Sequence, residues 1–493
     1  MMRFKHQWVS IFGALILLTS INGFADKPAT ELCPDQYADI KSWFPHSSTP
    51  EPDNENFSSE TICNFHQWSW QMFLWLTQNV DGQPRFLGFE SPYALLGINN
   101  REVLVPRKGK SHQPESFDEF IQAGTDGVLV DKKGNAVYYS QYLNDVFVDF
   151  IKDKELTNPE KVRILNPNTS FPIGTLELKA SWKIVENGED TSNFFTMDSS
   201  VYGLANKGGK IVVDTSNILK VKLALVGFHI GGIVKGHPEM IWATFEHRKN
   251  APNVSAKFTP STVISGQDFT FYRAGTKYSG CNKNYASSPY LKLDEDQQKL
   301  SPVIQVCRQY PYGNSATFEG NVPALAKQMN VSLSMMQKNV DNMQLAVEKN
   351  DSDIEKLNDL VEQQLTKEKD VWANYYEVGA IWFKPTDALK PGMTLKGDFA
   401  TNDSFPKTDK GEQFLIGSLK LSNSTIETFT QYQSTMNNCF RCHNTEERFM
   451  ESTSGVAYKP LPAMNLNISH AFMNIYFWSQ QQARGDMLLP EVE

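Results

Sequence analysis

The sequence predicts an α+β protein. It has an antiparallel sheet body, a helical hairpin inserted into that body, and a C-terminal helical segment built around Cys439-Phe440-Arg441-Cys442-His443. Three patterns carry this prediction. Residues 175–184 alternate apolar and polar, while residues 221–230 and 240–247 are apolar runs separated by Gly231, Gly232, Gly236 and Pro238; these read as strands, the last two paired. Met329, Leu333, Met336, Val340, Met343 and Val347 step by four and three, and Ile354, Leu357 and Val361 keep that phase, which reads as helix. Phe472, Ile475, Tyr476 and Trp478 recur at helical spacing beyond the Cys-Cys-His motif.

Residues 1–25 read as a cleavable signal peptide. Arg3 and Lys5 precede a short apolar run, and Gly23 and Ala25 are small residues at a cleavage site. Residues 26–60 are rich in Pro, Ser, Asp and Glu and read as a turn-rich arm. Residues 63–76 place Phe65, Trp68, Met72 and Trp75 on one helical stripe, a buried helix in which His66 is structural. Strands dominate residues 84–290, the first run ending at Gly231-Gly232. In 324–370, Asn350-Asp351-Ser352-Asp353 reads as a turn, and Ser352 with Glu355 forms a capping box for a second helix; one long helix is the alternative. Residues 371–383 return to the sheet, and Ser424 with Glu427 opens a helix leading to Cys439. The expected organisation is a signal peptide over 1–25, a body over 26–420 and a C-terminal segment over 421–493 that carries the Cys-Cys-His motif.

The net charge of −9 becomes more negative once Arg3 and Lys5 are removed. That argues against nucleic acid and anionic membrane, and suits a basic partner. No stretch after residue 25 is apolar for long enough to span a bilayer. With Cys439 and Cys442 set aside, Cys33, Cys63, Cys281 and Cys307 remain, an even number that suggests two disulfides in an oxidising compartment. Three pairings are open; Cys33–Cys63 and Cys281–Cys307 are favoured because each joins neighbours in sequence.

C-x-x-C-H is the attachment pattern for c-type haem. Two thiols bond the porphyrin vinyl groups, and the adjacent His443 offers an imidazole to the iron from one face. A zinc or redox site without haem is the competing reading. His470 and Met464 are the candidate sixth ligands, and they decide function: two strong ligands suit an electron carrier, whereas an open position suits a peroxidase or oxidase. His229, Glu246 and His247 are candidate catalytic residues beside His237, since a Glu near a His can act as acid and base. Electron transfer with a periplasmic redox protein is the leading expectation, and the haem enzyme is the alternative.

The chain resembles bacterial periplasmic proteins of the cytochrome c family that have a large N-terminal body and a single C-x-x-C-H near the C-terminus. Besides Cys439, Cys442 and His443, the matching stretches are the Trp-rich segment after Cys63 and residues 176–182, 224–229, 242–247, 374–382 and 423–429. The resemblance implies one covalent haem and electron transfer, and no particular substrate. Small soluble cytochromes c fit less well, since their attachment motif lies near the N-terminus.

Overall fold

The structure is a computed structural model. It describes residues 33, 36–97, 103–106, 127–208, 210–255, 257–285, 290–313, 322–328, 332–383, 389–393, 407–408, 411–412, 415–431, 438–450 and 458–484. The signal-peptide expectation over residues 1–25 lies outside them.

A mostly antiparallel eight-stranded sheet forms the body. Its strands are β1 (Val103–Pro106), β2 (Tyr138–Leu143), β3 (Leu176–Ile184), β4 (Thr196–Lys207), β5 (Lys210–Val234), β6 (His237–His247), β7 (Tyr375–Phe383) and β8 (Leu415–Gly417). They lie in the order β8-β7-β6-β5-β3-β2-β1-β4, with β1 and β4 parallel. β4 also pairs with β5, so five strands close a ring from which β6, β7 and β8 extend.

Gly231 and Gly232 do not end β5, which runs on to Val234 and turns at Lys235 and Gly236. Gly236 has φ +83, a conformation that suits glycine. The two earlier glycines serve packing instead. A Cβ on Gly231 would meet the Trp242 ring at 2.7 Å, and one on Gly232 would meet the Trp68 ring at 2.5 Å. Both indoles lie against bare backbone.

Helix α1 (Ile62–Thr77) covers one face of the sheet, as its aromatic stripe predicts. Phe73 stacks on Phe245 at 4.2 Å and Trp70 meets the same ring edge-on at 5.0 Å. Each of these buried side chains contributes roughly 1.5–3 kcal/mol relative to exposure. His66 is a core residue here, facing Glu377 at 2.9 Å and Asn350 at 3.0 Å.

The expected helical hairpin over 324–370 is corrected. Helix α2 (Leu333–Lys367) runs unbroken through residues 350–353, and a separate short helix, Val322–Gln328, precedes it and contacts it. The physical reason lies inside the core. Asn350 and Asp353 are buried, with Asn350 engaging His66, so these polar residues serve internal contacts rather than a turn. Ile354, Leu357 and Val361 are fully buried in the chain's own body.

Disulfides join Cys33 to Cys63 and Cys281 to Cys307, with Cα separations of 6.0 and 5.7 Å. Among the described residues, no helix is long and apolar enough to cross a membrane.

Candidate functional site

Strand pairing aligns side chains in rows across the second face of the sheet, the first of them polar. Gln141, Lys179, His229 and Thr244 align in one row, and Leu143, Glu177, Gly231 and Trp242 in the next. Alternation in β3 reads as a wet outer face for Glu177, Lys179, Ser181 and Lys183. All four are buried instead. Lys183 pairs with Glu189, and the C-terminal part of the chain lies on the rest of this face, through residues 423–427 and helix α3 (His470–Arg484).

Residues 423–427 reach the sheet without the expected helix, and a short 3-10 turn, Thr428–Thr430, follows. Ser424 is taken up elsewhere: its backbone N–H donates to Glu246 Oε2 at 2.8 Å and its hydroxyl donates to the same oxygen. Glu427 accepts from the Asn423 N–H at 2.8 Å. Asn423 also donates to Thr244 and to the Phe245 carbonyl, both at 2.9 Å. Backbone approach is close here. A Cβ on Gly227 would meet Thr425 Oγ1 at 2.4 Å.

The motif begins at Asn438, whose side chain accepts from the Phe440 N–H at 3.0 Å and donates to the Leu419 carbonyl at 3.1 Å. That cap starts a 3-10 turn over Cys439–Arg441. Phe440 is buried against Phe383, with ring centroids 4.8 Å apart, which anchors the turn and leaves the two cysteines half-buried. Neither cysteine joins a disulfide. Burial, reinforced by the nearby Glu427 carboxylate, pushes the Cys439 thiol well above its ordinary range. Arg448 closes the turn by donating to the Cys442 carbonyl at 3.0 Å.

His443 is buried, and its Nδ1 lies 2.8 Å from the Ile468 carbonyl. A ring nitrogen facing a carbonyl must donate, so Nδ1 carries the proton. Burial lowers the imidazole to about pKa 3. The ring is therefore neutral and Nε2 keeps its lone pair, the form in which histidine ligates a metal. Two thiols three residues apart outside any disulfide, followed by a neutral histidine in this tautomer, fit a covalently held haem by the chemistry of the donor set.

Around His443 stand two rings. The Trp242 indole lies on one side, with ring centroids 3.7 Å apart, and the His470 imidazole stacks face to face at 3.6 Å and 14°. Two imidazoles trans on one metal, each bonded at about 2.0–2.1 Å, would hold their centroids about 6 Å apart. His470 as arranged is thus a stacking neighbour of His443. Burial, and then the His443 ring, hold His470 well below the usual histidine range. Met464 is buried beside the turn Asn465–Ile468, whose last carbonyl anchors His443.

The candidate catalytic residues do not converge. His229 faces Glu427 at 3.3 Å, on the same side of the sheet as the motif. Glu246 is consumed by Arg308, Tyr376 and Ser424. His247 lies on the opposite face, stacked on Phe194 at 3.8 Å, and burial lowers it to about pKa 3. His237 faces Glu239 at 2.8 Å and packs edge-on against Phe65, away from the motif. The site instead recruits Trp242, Glu427 and Glu177. Burial raises Glu177 to about pKa 7, and it accepts from the Ala471 N–H at 2.9 Å, in the first turn of α3. Asn438 was the one signal in plain view, since an Asn before a turn is a natural cap.

Neither a protein-family model, nor a curated protein, nor a solved structure matches this chain.

Proposed function

We propose that this protein is an exported c-type cytochrome. It would carry one haem on Cys439 and Cys442 with His443 as proximal ligand, and exchange electrons with a periplasmic redox protein. The single observation behind the proposal is the tautomer of His443, which donates through Nδ1 to Ile468 and offers Nε2 at the end of the Cys-Cys turn. Two disulfides suit an oxidising compartment. The acidic chain suits a basic partner and disfavours nucleic acid.

Bound haem would supply reversible one-electron chemistry at iron. The chain's own residues do the rest. Phe440 and the cap at Asn438 set the turn that presents both thiols. The Ile468 carbonyl fixes the proton on His443. Helix α3 and the sheet shield the imidazole from water.

A haem peroxidase or oxidase is the second reading. One observation favours it: His470 lies on the face of His443 rather than across from it, which removes one of the two candidates for closing the sixth position. An optical spectrum of the periplasmic protein tests both, recorded oxidised, reduced, and reduced under carbon monoxide. A sharp reduced α-band unmoved by carbon monoxide supports the carrier, and a large shift supports the enzyme. Cys439→Ser with Cys442→Ser should abolish covalent haem while the disulfide-tied body still folds. Full haem retention in that variant overturns the proposal.

A further inference from the structure

We propose that Trp242 and His470 form a clamp that holds the His443 imidazole from both faces and fixes the plane in which Nε2 is presented to iron. The inference rests on the haem reading above and deepens it, because it assigns positioning residues to the proximal side.

Three contacts converge on one ring. Ile468 takes the Nδ1 proton at 2.8 Å. Trp242 lies against the imidazole at 3.7 Å, and His470 is stacked on it at 3.6 Å, nearly parallel. The backbone beneath the ring is held as well: the His443 backbone N–H donates to the Cys439 carbonyl at 2.8 Å. A hydrogen bond on Nδ1 alone leaves the ring free to swing about that axis. Flat partners on both faces remove that freedom, since the ring cannot rotate without displacing one of them.

The clamp is itself supported from the sheet. Trp242 sits opposite Gly231 in the β5–β6 register, and its indole rests where a Cβ would stand. Its Nε1–H donates to the Glu239 carbonyl at 3.2 Å, so the indole cannot flip. His470 begins helix α3, whose first turn is held by Glu177 through the Ala471 N–H. Both jaws are thus fixed by regular structure of the body. That gives the otherwise unexplained sheet a direct part in the haem site. A proximal ring locked in one orientation gives the iron a single electronic state, and a ring free to turn gives several. Fast exchange of one electron favours the former.

The test compares the wild type with Trp242→Ala, Trp242→Phe and His470→Ala, each co-expressed with haem-attachment machinery. Haem per chain and far-ultraviolet circular dichroism are measured first. Ferric electron paramagnetic resonance follows, with and without cyanide. Cyanide is cylindrically symmetric, so in its adduct the imidazole plane alone sets the anisotropy. The expected result is one narrow set of g-values in the wild type and in Trp242→Phe, and a shifted or broadened set in Trp242→Ala at equal haem content. His470→Ala should also shift the cyanide spectrum, yet leave the spin state without cyanide unchanged. Unaltered g-values in Trp242→Ala overturn the clamp. So does a change from low to high spin in His470→Ala, which would make His470 an iron ligand. Should Trp242→Ala fail to fold, His470→Ala alone carries the decision. A wild-type protein without covalent haem overturns the functional reading instead, and with it any clamp on an iron ligand.

Discussion

Replacing Arg308 by Met should strand the Glu246 carboxylate in the core and weaken the join between the body and the segment that leads to Cys439. Arg308 and Glu246 are both buried, and the guanidinium Nε donates to Glu246 Oε1. Burial opposes the Arg308 charge, and the Glu246 carboxylate together with Tyr376 and Tyr312 more than offsets it. Arg308 also donates to the carbonyls of Ala251 and His247. Removing one partner of a buried ion pair costs about 3–5 kcal/mol. Tyr376, at 2.7 Å, and both donors of Ser424 remain to solvate Glu246, which pulls the estimate down. Two orphaned carbonyls add roughly 1 kcal/mol each. The sum stays at about 3–5 kcal/mol, read as a lower urea midpoint at constant slope. Glu246→Gln leaves the cation unpaired and should cost a similar amount. In the double variant the two losses should fall short of additivity by about 2 kcal/mol. A single-variant loss below about 1 kcal/mol, or additivity within about 0.5 kcal/mol, refutes the ion pair as the tie between strands β6 and β7 and the 423–427 turn.

Asn350→Pro should cost at least about 3 kcal/mol in urea unfolding, because a proline inside a continuous helix removes a hydrogen bond and clashes with the preceding turn; a near-neutral result would restore the turn that the sequence suggests there. Replacing Cys281 and Cys307 together by Ala frees a loop closed across 26 residues and should cost about 3.5 kcal/mol; an unchanged thermal midpoint would mean that the bridge does not form. His247 makes stability pH-dependent. Its folded pKa of about 3 lies below the unfolded value of about 6.5, so the stability it contributes is complete above pH 6.5 and is lost as pH falls toward 3, by about 1.4 kcal/mol per pH unit. His247→Phe should flatten that part of the stability–pH curve, and an identical slope in the variant contradicts the assignment.

What the sequence made legible is local. Period-two alternation located β3, apolar runs located β5 and β6, and the aromatic stripe located α1, because each pattern reports its own element. Proximity in sequence also favoured the two disulfide pairs found. The misreadings share one cause: a residue type with a strong local preference found a distant partner. Asn350 favours turns, but it meets His66, 284 positions earlier. Ser424 favours helix caps, but Glu246, 178 positions away, takes both of its donors. Gly231 resembles a strand terminator until Trp242 lies across it. Glu177 and Lys179 alternate as solvent-facing residues do, and nothing in β3 announces that helix α3 will seal that face.

The sealed polar face bears on what the body does. A sheet serving only as a docking platform would be most stable with one face apolar and the other wet. Here the second face is polar and dry, and burying ionisable groups carries a free-energy cost that Leu or Val at the same positions would avoid. Glu177 offsets part of the cost by holding the first turn of α3, while His229 faces Glu427 at 3.3 Å. The remainder is concentrated beside Cys439, His443 and His470, whose ionisation these groups and their burial bias. Buried charges gathered at one place in a fold set the local potential there. The strands that supply them also supply Trp242 and the ledge of glycine backbone beneath it. The motif is therefore not a module appended to an independent body. His443 is packed, buried and surrounded by ionisable groups through residues that lie some 200 to 270 positions earlier in the chain, on β3, β5 and β6.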